Sequence, residues 1–576
     1  MPLLLLPLML AMRFVPQLLP NGPSKIWMAR AFGPFLVSLL VVLWWFLASR
    51  ARWFERGLGV IGLAAAVGVE QMLCHHSMRG PLLIVMTLPM AIAGFAVGAI
   101  LFGQSLSIQR TWWAIALAAV ACVFSLFIRT EGAWGDFSFG FEWRWKPTSE
   151  QRAMAYRKEA AMRTMKTTST TSTLRDAGVP PAGQPGSLPQ WPAFRGPGRD
   201  GKQTGVIFRD DWQSTPPKEV WRIPVGPAWS SFVVAGDRLF TQEQRGDNEA
   251  VVCYDASDGK QVWEFTRPSR FFESLGGLGP RATPTLSEGS LYALGAAGSL
   301  VRLDMIDGRK IWDVDLKQAA GRNEPPMWGF SSSPCVEQGL VIVHAGGAGD
   351  LGVLAFRTAD GQLAWSAPAG ERSYGSVQPI TLLNQSYVCL LSNTGAHFWE
   401  AATGKRVLDY AFVHEGYRAL QPQVIDGNKV LIPAGMGTGT RLVELSQTAQ
   451  GLEGKELWTS KDMKPDFNDL LIQDGYLYGF DNAIFACVDL KDGARKWKGG
   501  RYEKGQALLL ADSKLIVVVS ERGGLVLLRA TPEKLIELAT LPAMSGKTWN
   551  HPVVVGDRLY VRNAEEAICY RLRTAD

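Results

Sequence analysis

Eight segments in the C-terminal part of the chain mix aromatic rings, hydroxyls and cations just ahead of short apolar runs. They are PAWSS (Trp229, Ser231), GPRATP (Arg281), MWGFSSSP (Trp328), RSYGSVQP (Tyr374), GYRALQP (Arg418), DFND (Asp466), EKGQ (Lys504) and TWNHP (Trp549, His551). Rings stack on a ligand, hydroxyls orient it, and cations held away from water call for an anionic partner. If the runs converge on one axis, Arg281, Arg418, Lys504 and His551 gather like charge that Asp466 and Glu503 are too few to neutralise. The expected ligand is then an anionic small molecule or an acidic protein segment. Ser and Gly in the same segments also suit close convergence of strands, and Trp328 and Trp549 suit a packed plug as well as a binding wall.

Other chemistry is thin. No nucleophile–base pair, phosphate loop or metal motif stands out, and the Cys74-His75-His76 run places three neighbours that rarely face one point. The seven cysteines include no adjacent pair and no Cys-x-x-Cys, which reads as buried thiols. The formal charge of +6 averages two unlike parts, so it does not argue for nucleic acid.

The elements that must position the mixed segments follow from a repeated phrase, an apolar run and then Asp-x-x-(Asp/Thr)-Gly-(Lys/Arg)-x-x-Trp. It stands at Cys253–Trp263, Arg302–Trp312, Ala355–Trp365, Phe398–Leu408 and Cys487–Trp497, with a looser copy ending at Trp458. Gly accepts the positive φ of a tight hairpin, the leading Asp caps its amides, and the Trp suits docking on a neighbouring sheet. Upstream of the phrases lie strand–turn–strand units at 233–242, 285–294, 335–344, 380–391, 424–433, 471–480, 509–519 and 553–562. A period of roughly 40–50 residues of short strands signals four-stranded propeller blades. The last copy runs out before its outer strand, while EVWRIPV (Glu219–Val225) is a strand without a partner at the start. An all-β eight-bladed propeller closed by that strand follows, with its mixed segments lining the mouth of the central channel.

The phrase resembles that of the pyrroloquinoline-quinone-like propellers, which include quinoprotein dehydrogenases and the propeller lipoprotein of outer-membrane assembly. WPAFRGPGRDG (Trp191–Gly201) resembles the lead-in of membrane-attached bacterial members. The resemblance covers 191–576 and implies the fold; for activity it leaves two classes open. One is a binding or scaffold module without a cofactor. The alternative is a membrane-bound sugar or alcohol dehydrogenase using pyrroloquinoline quinone with calcium, against which stand the missing cysteine pair, the short blades and the lack of a calcium-ligand cluster.

Residues 1–129 belong to another solvent. Apolar stretches at 31–48, 57–74, 81–103 and 112–128 approach bilayer length, and 3–20 offers a fifth interrupted by Pro7, Arg13 and Pro16. The expected architecture is therefore an α-helical multi-span transmembrane region ahead of the propeller. Arg50, Arg52, Arg56 and Arg110 in short loops place one side in the cytoplasm and send the chain after Ile128 outward, although Lys25, Arg30 and Arg79 soften the bias. Residues 130–190 read as an aromatic juxtamembrane segment, a helix capped by Thr148 or Ser149, and a low-complexity tether (TTSTTST, PPAGQPG). The expected location is the bacterial cytoplasmic membrane, with the propeller on the periplasmic side.

Overall fold

In the computed structural model, residues 2–15, 24–105, 107–136, 138–169, 190–449 and 451–575 are described. They form two compact units, Met1–Pro147 with Phe272–Gly277, and Thr148–Phe271 with Leu278–Asp576.

The first unit is built from α1 (Pro2–Phe14), α2 (Ser24–Ala48), α3 (Trp53–Leu73), α4 (Leu88–Leu101, preceded by a π-helical turn at Leu83–Thr87) and α5 (Ser107–Leu126). Three stretches, Trp53–Leu73, Leu83–Leu101 and Ile108–Leu126, are long and apolar enough to cross a membrane, and Leu3–Phe14 and Phe32–Ala48 are shorter apolar helices. Small residues let α4 and α5 touch. A Cβ on Gly98 would stand 2.6 Å from Ala114 Cα, and one on Gly94 2.5 Å from the Leu117 carbonyl, so the two helix backbones approach closely. The basic loops meet at one end: Trp45 Nε1 donates to the Arg56 carbonyl (3.2 Å) and the Arg110 guanidinium lies 5.9 Å from the Trp45 ring. The hairpin Ile128–Ala133/Phe139–Trp143 follows α5.

The second unit contains eight sheets, one for each expected blade. Their innermost strands are Val233–Ala235, Thr285–Ser287, Cys335–Glu337, Gln378–Leu382, Gln423–Ile425, Leu471–Gln473, Gln506–Leu510 and Val553–Val555, blades 1 to 8. Blade 8 takes its outer strand from Lys218–Pro224, with Cys569 opposite Trp221. The ring therefore closes where the sequence indicated.

The repeated phrase works as a joint. Each Trp donates its indole N–H to a carbonyl in the next blade's outer turn: Trp221 to Ala256 (3.0 Å), Trp263 to Met305 (3.2 Å), Trp312 to Thr358 (2.8 Å), Trp365 to Ala401 (2.9 Å), Trp458 to Leu490 (3.0 Å) and Trp497 to Thr531 (2.8 Å). In five of these the ring also lies over the turn's glycine; a Cβ on Gly308 would sit 2.5 Å from Trp263. The glycine thus serves twice, at φ +73° and as a bare surface for the indole. Asp255, Asp304 and Asp489 cap the turns, accepting from Ser257, Ile306 and Lys491 N–H at 2.8, 2.8 and 3.0 Å.

The stretch expected as juxtamembrane segment, helix and tether divides between the units. Residues 130–147 belong to the helical unit, whereas α6 (Ser149–Ser169) belongs to the propeller unit. Thr148 and Gln151 cap its start reciprocally, at 2.8 and 3.1 Å. It is held to the blades by Glu150–Arg270 (3.2 Å), Arg152–Glu565 (2.5 Å) and Arg157–Glu243 (3.4 Å). Residues 170–189, which hold most of the expected tether, lie outside the described residues.

Candidate functional site

The hub of the ring is threaded by the lead-in. Gln190 and Trp191 pair with Ala235 and Val234 of blade 1, and the Pro192 carbonyl accepts from Leu286 N–H of blade 2 (2.8 Å). Arg195 donates to the Leu470 carbonyl at blade 6 (2.7 Å) and stands 3.7 Å from Asp469. Arg199 donates to the Pro334 carbonyl at blade 3 (2.8 Å). Lys202 and Gln203 then run parallel to Leu509 and Leu510 of blade 7. Both arginines are buried and left-handed, with φ +64° and +51°. Carbonyls of the surrounding blades stabilise that conformation, which non-glycine residues seldom adopt.

Around this plug the expected mouth residues divide into a buried set and a half-buried set. Ser231 is buried: its Oγ donates to the His551 carbonyl (2.6 Å) and its N–H to Thr283 Oγ1 (2.9 Å). The pattern continues blade by blade, Thr283 N–H to Ser333 Oγ (3.0 Å) and Ser333 N–H to Ser376 Oγ (2.8 Å), a girdle that lets the innermost strands converge with their amides satisfied. The hydroxyls of the mouth are thereby committed to packing.

The half-buried rings form two clusters on different arcs. At blades 8, 1 and 6, Trp549 packs on Trp229 (4.9 Å) and Phe467 (5.0 Å) with Lys547 Nζ 4.2 Å from its ring, and its indole donates to Glu521 (2.7 Å). At blades 3, 4 and 5, Trp328 meets Tyr374 (4.9 Å) and Tyr417 (4.3 Å, edge-on).

The four cations have different surroundings. Arg281 donates to the carbonyls of Trp328 (3.3 Å), Leu278 (3.2 Å) and Gly279 (2.7 Å). Lys504 is ion-paired with Asp466, and burial pushes its ammonium down to about 8 against the pull of Glu521. His551 is held neutral: burial, assisted by Arg195, pushes it down to about 3, while Nδ1 bonds the Pro552 carbonyl (2.7 Å). Arg418 is the exception. It is 1 % exposed, donates to the Phe412 carbonyl, and leaves Nε and Nη1 without acceptors. Among the described residues no carboxylate pairs with it, and burial plus Arg441 pushes it down to about 10. Of the four, Arg418 is the one buried with guanidinium donors left unused. Beside it His414 bonds Thr438 through Nδ1 (2.7 Å) and leaves Nε2 unpartnered.

Sequence reasoning passed over two arrangements. The plug arginines left only the trace of two cations in a Gly/Pro-rich run. In blade 4, Ser392 Oγ lies 2.7 Å from His397 Nε2, and His397 Nδ1 2.7 Å from Asp409, the geometry of a nucleophile triad. Ser392 is wholly enclosed, however, and accepts from Thr394 N–H (3.2 Å) beneath Gly370, where a Cβ would come within 2.6 Å of its Oγ. No acyl group can reach that hydroxyl, and the network holds the 392–395 turn.

A calcium ion beside a quinone at the mouth would need free carboxylate oxygens. Calcium takes about six to eight oxygens, whereas Asp466 is engaged by Lys504, Glu521 by Trp549, and Asp469 by Gln421 N–H (2.7 Å) and Arg195. Among the described residues no group of three His, Cys, Asp or Glu is placed to hold a metal, and all seven cysteines are free and buried.

A family model described as outer membrane protein assembly factor BamB matches residues 214–414 and 328–499. BamB of Escherichia coli (strain K12) is 33% identical over 117 residues, 19% of this chain and 28% of its own. BamB of Xanthomonas campestris pv. campestris is 30% identical over 92 residues, 16% and 22%. The chain thus spans about a quarter of the length of these relatives. Among solved structures, BamB from Moraxella catarrhalis aligns at TM-score 0.45 and 15% identity, covering 62% of this chain and 97% of that one. Quinohemoprotein alcohol dehydrogenase ADHIIG from Pseudomonas putida HK5 aligns at 0.46 and 14%, covering 67% and 81%. With the repeat phrase and the eight-bladed ring, the family match means that the chain belongs to the pyrroloquinoline-quinone-like β-propeller family.

Proposed function

We propose that this chain is an integral membrane protein of the bacterial cytoplasmic membrane whose propeller, on the periplasmic side, serves as a scaffold binding an acidic segment of a partner protein in envelope assembly. One observation carries the binding site: the half-buried rings of Trp328, Tyr374 and Tyr417 pack together where the Arg418 carbonyl accepts from Tyr374 N–H (2.6 Å), and the buried Arg418 guanidinium has two donors unused and no carboxylate beside it among the described residues. The guanidinium is enclosed, and without a neighbouring carboxylate among the described residues its charge leaves a positive field behind the rings that draws an acidic segment to them. The rings then give the neighbouring stretch of partner chain a rigid surface. Assignment of the partner to envelope assembly rests on the BamB matches, whose printed name describes that role. Membrane insertion rests on the three long apolar helices and the glycine-mediated packing of α4 on α5. The orientation rests on the gathering of Arg56 and Arg110 at one end of that bundle.

A photo-crosslinking residue in place of Met327, which is exposed beside Trp328, tests the site in cells. The expected product is one discrete protein adduct that Arg418→Gln abolishes while the melting temperature holds. An adduct unchanged in Arg418→Gln would remove the site. Loss of signal only when small anions are washed away would give it to an anionic metabolite, and dye reduction after adding pyrroloquinoline quinone and calcium would replace the scaffold with the enzyme.

A further inference from the structure

At the end of the helical bundle away from Arg56 and Arg110, the last residues of α3 and α5 share a groove. Leu73, Leu126, Phe127, Arg144 and Trp145 line a space of about 540 Å³. Leu73 is 56 % exposed, Phe127 48 % and Trp145 66 %, an amount of bare apolar surface that water disfavours. Arg144 is exposed as well, and its placement is built. Its N–H donates to the Phe127 carbonyl (2.8 Å), and Nη1 donates to the Leu73 carbonyl at the end of α3 (3.2 Å). Trp145 stacks on Trp143 (4.9 Å), which holds its ring beside the groove. Glu142, the nearby acid on the same hairpin, is paired with Lys146 (3.0 Å), so it does not oppose an anion at Arg144.

We propose that this groove binds the headgroup of an anionic phospholipid. The phosphate pairs with Arg144, the glycerol region lies against Trp145, and an acyl chain runs down the Leu73, Leu126 and Phe127 side. The occupant follows from complementarity: one guanidinium above an apolar wall, where two apolar helices end, matches a charged headgroup joined to hydrocarbon. A folded protein surface would not need the hydrocarbon path, and free phosphate would not cover the rings. The inference rests on the membrane reading given above and adds a ligand to the helical unit.

The full chain is washed with alkaline carbonate in native membranes, then transferred to nanodiscs containing phosphatidylglycerol and phosphatidylcholine, and retained lipid is counted by native mass spectrometry. The expected result is preferential retention of phosphatidylglycerol, lowered about fivefold by Arg144→Gln. Arg144→Lys should restore part of it. Arg50→Gln, exposed near the opposite end of α3, should leave it unchanged. Equal retention of both lipids, retention unaffected by Arg144→Gln, displacement by inorganic phosphate, or a peptide retained in the lipid's place would each overturn the lipid site alone. Release of the chain by carbonate would overturn the membrane reading and this site together.

Discussion

Six joints of the ring are made by a Trp and the next blade's turn, and two are not. Between blades 4 and 5, Leu408 stands where the Trp would be, and blade 5 replaces the tight turn with the longer hairpin Thr440–Thr448/Gly451–Ser460. There Tyr410 lies against Gly454, where a Cβ would come within 2.6 Å of its ring. Between blades 7 and 8, the receiving blade has no outer hairpin because its last strand comes from Lys218–Pro224. Trp is thus absent where its partner turn is absent. The indole, the turn carbonyl and, in five joints, the bare glycine act as one unit, and sequence periodicity survives only where that unit does.

The largest effect expected from breaking a regular joint is Trp312→Ala, at about 3–5 kcal/mol for a buried aromatic. Tyr410→Ala, in the irregular joint and on a half-buried ring, should cost about 1–2 kcal/mol. Urea titrations of both settle the point, and equal values would mean the joints do not differ. Next, Gly308→Ala forces a Cβ onto Trp263 at φ +73°, whereas Gly427→Ala meets only the backbone strain of φ +72° with nothing within 4 Å. The first should lose about 2–4 kcal/mol and the second about 1 kcal/mol. If the melting temperatures fall equally, the indole does not require the bare glycine.

The smallest effect separates hub from joints by pH. Burial holds His551 at the hub down to about 3, and His344, at the end of the second strand of blade 3 (Leu340–His344), down to about 4, against 6.5 when unfolded. Folded-state values below the unfolded one give stability that is complete above pH 6.5 and declines as pH falls toward 4, because only the unfolded chain takes up the proton. By pH 5 the loss should be about 1–2 kcal/mol per histidine. His551→Gln should flatten the slope of stability between pH 6.5 and 5, while Trp312→Ala should lower stability and leave the slope alone.

What could be read from the residues follows the same division. The blades, their count and the closing strand were legible because the Asp-Gly turn and the Trp recur at fixed spacing. The mouth was legible as a place and only partly as chemistry. Trp328 and Tyr374 do meet, as do Trp229 and Trp549, but the charge of the cations depends on partners far along the chain. Lys504 finds Asp466, Arg281 finds carbonyls from 278 to 328, and His551 loses its proton to burial. The plug was legible least, since Arg195 and Arg199 take left-handed conformations that only surrounding blades can stabilise.

That plug also sets a timetable for synthesis. Gly205 bonds Asp512, 307 residues later, at 2.5 Å, and the closing strand waits still longer for Glu566–Arg571. At about 5–20 residues per second, a ribosome needs about 15–60 s to produce those partners after the lead-in has emerged. Until then Lys202–Gln203 and Lys218–Pro224 have no sheet to join. Blades 2 to 6 can pair internally as they appear, but the ring closes only when the last residues are made, so truncation ahead of Glu566 leaves Lys218–Pro224 and the cut edge of blade 8 unpaired at once.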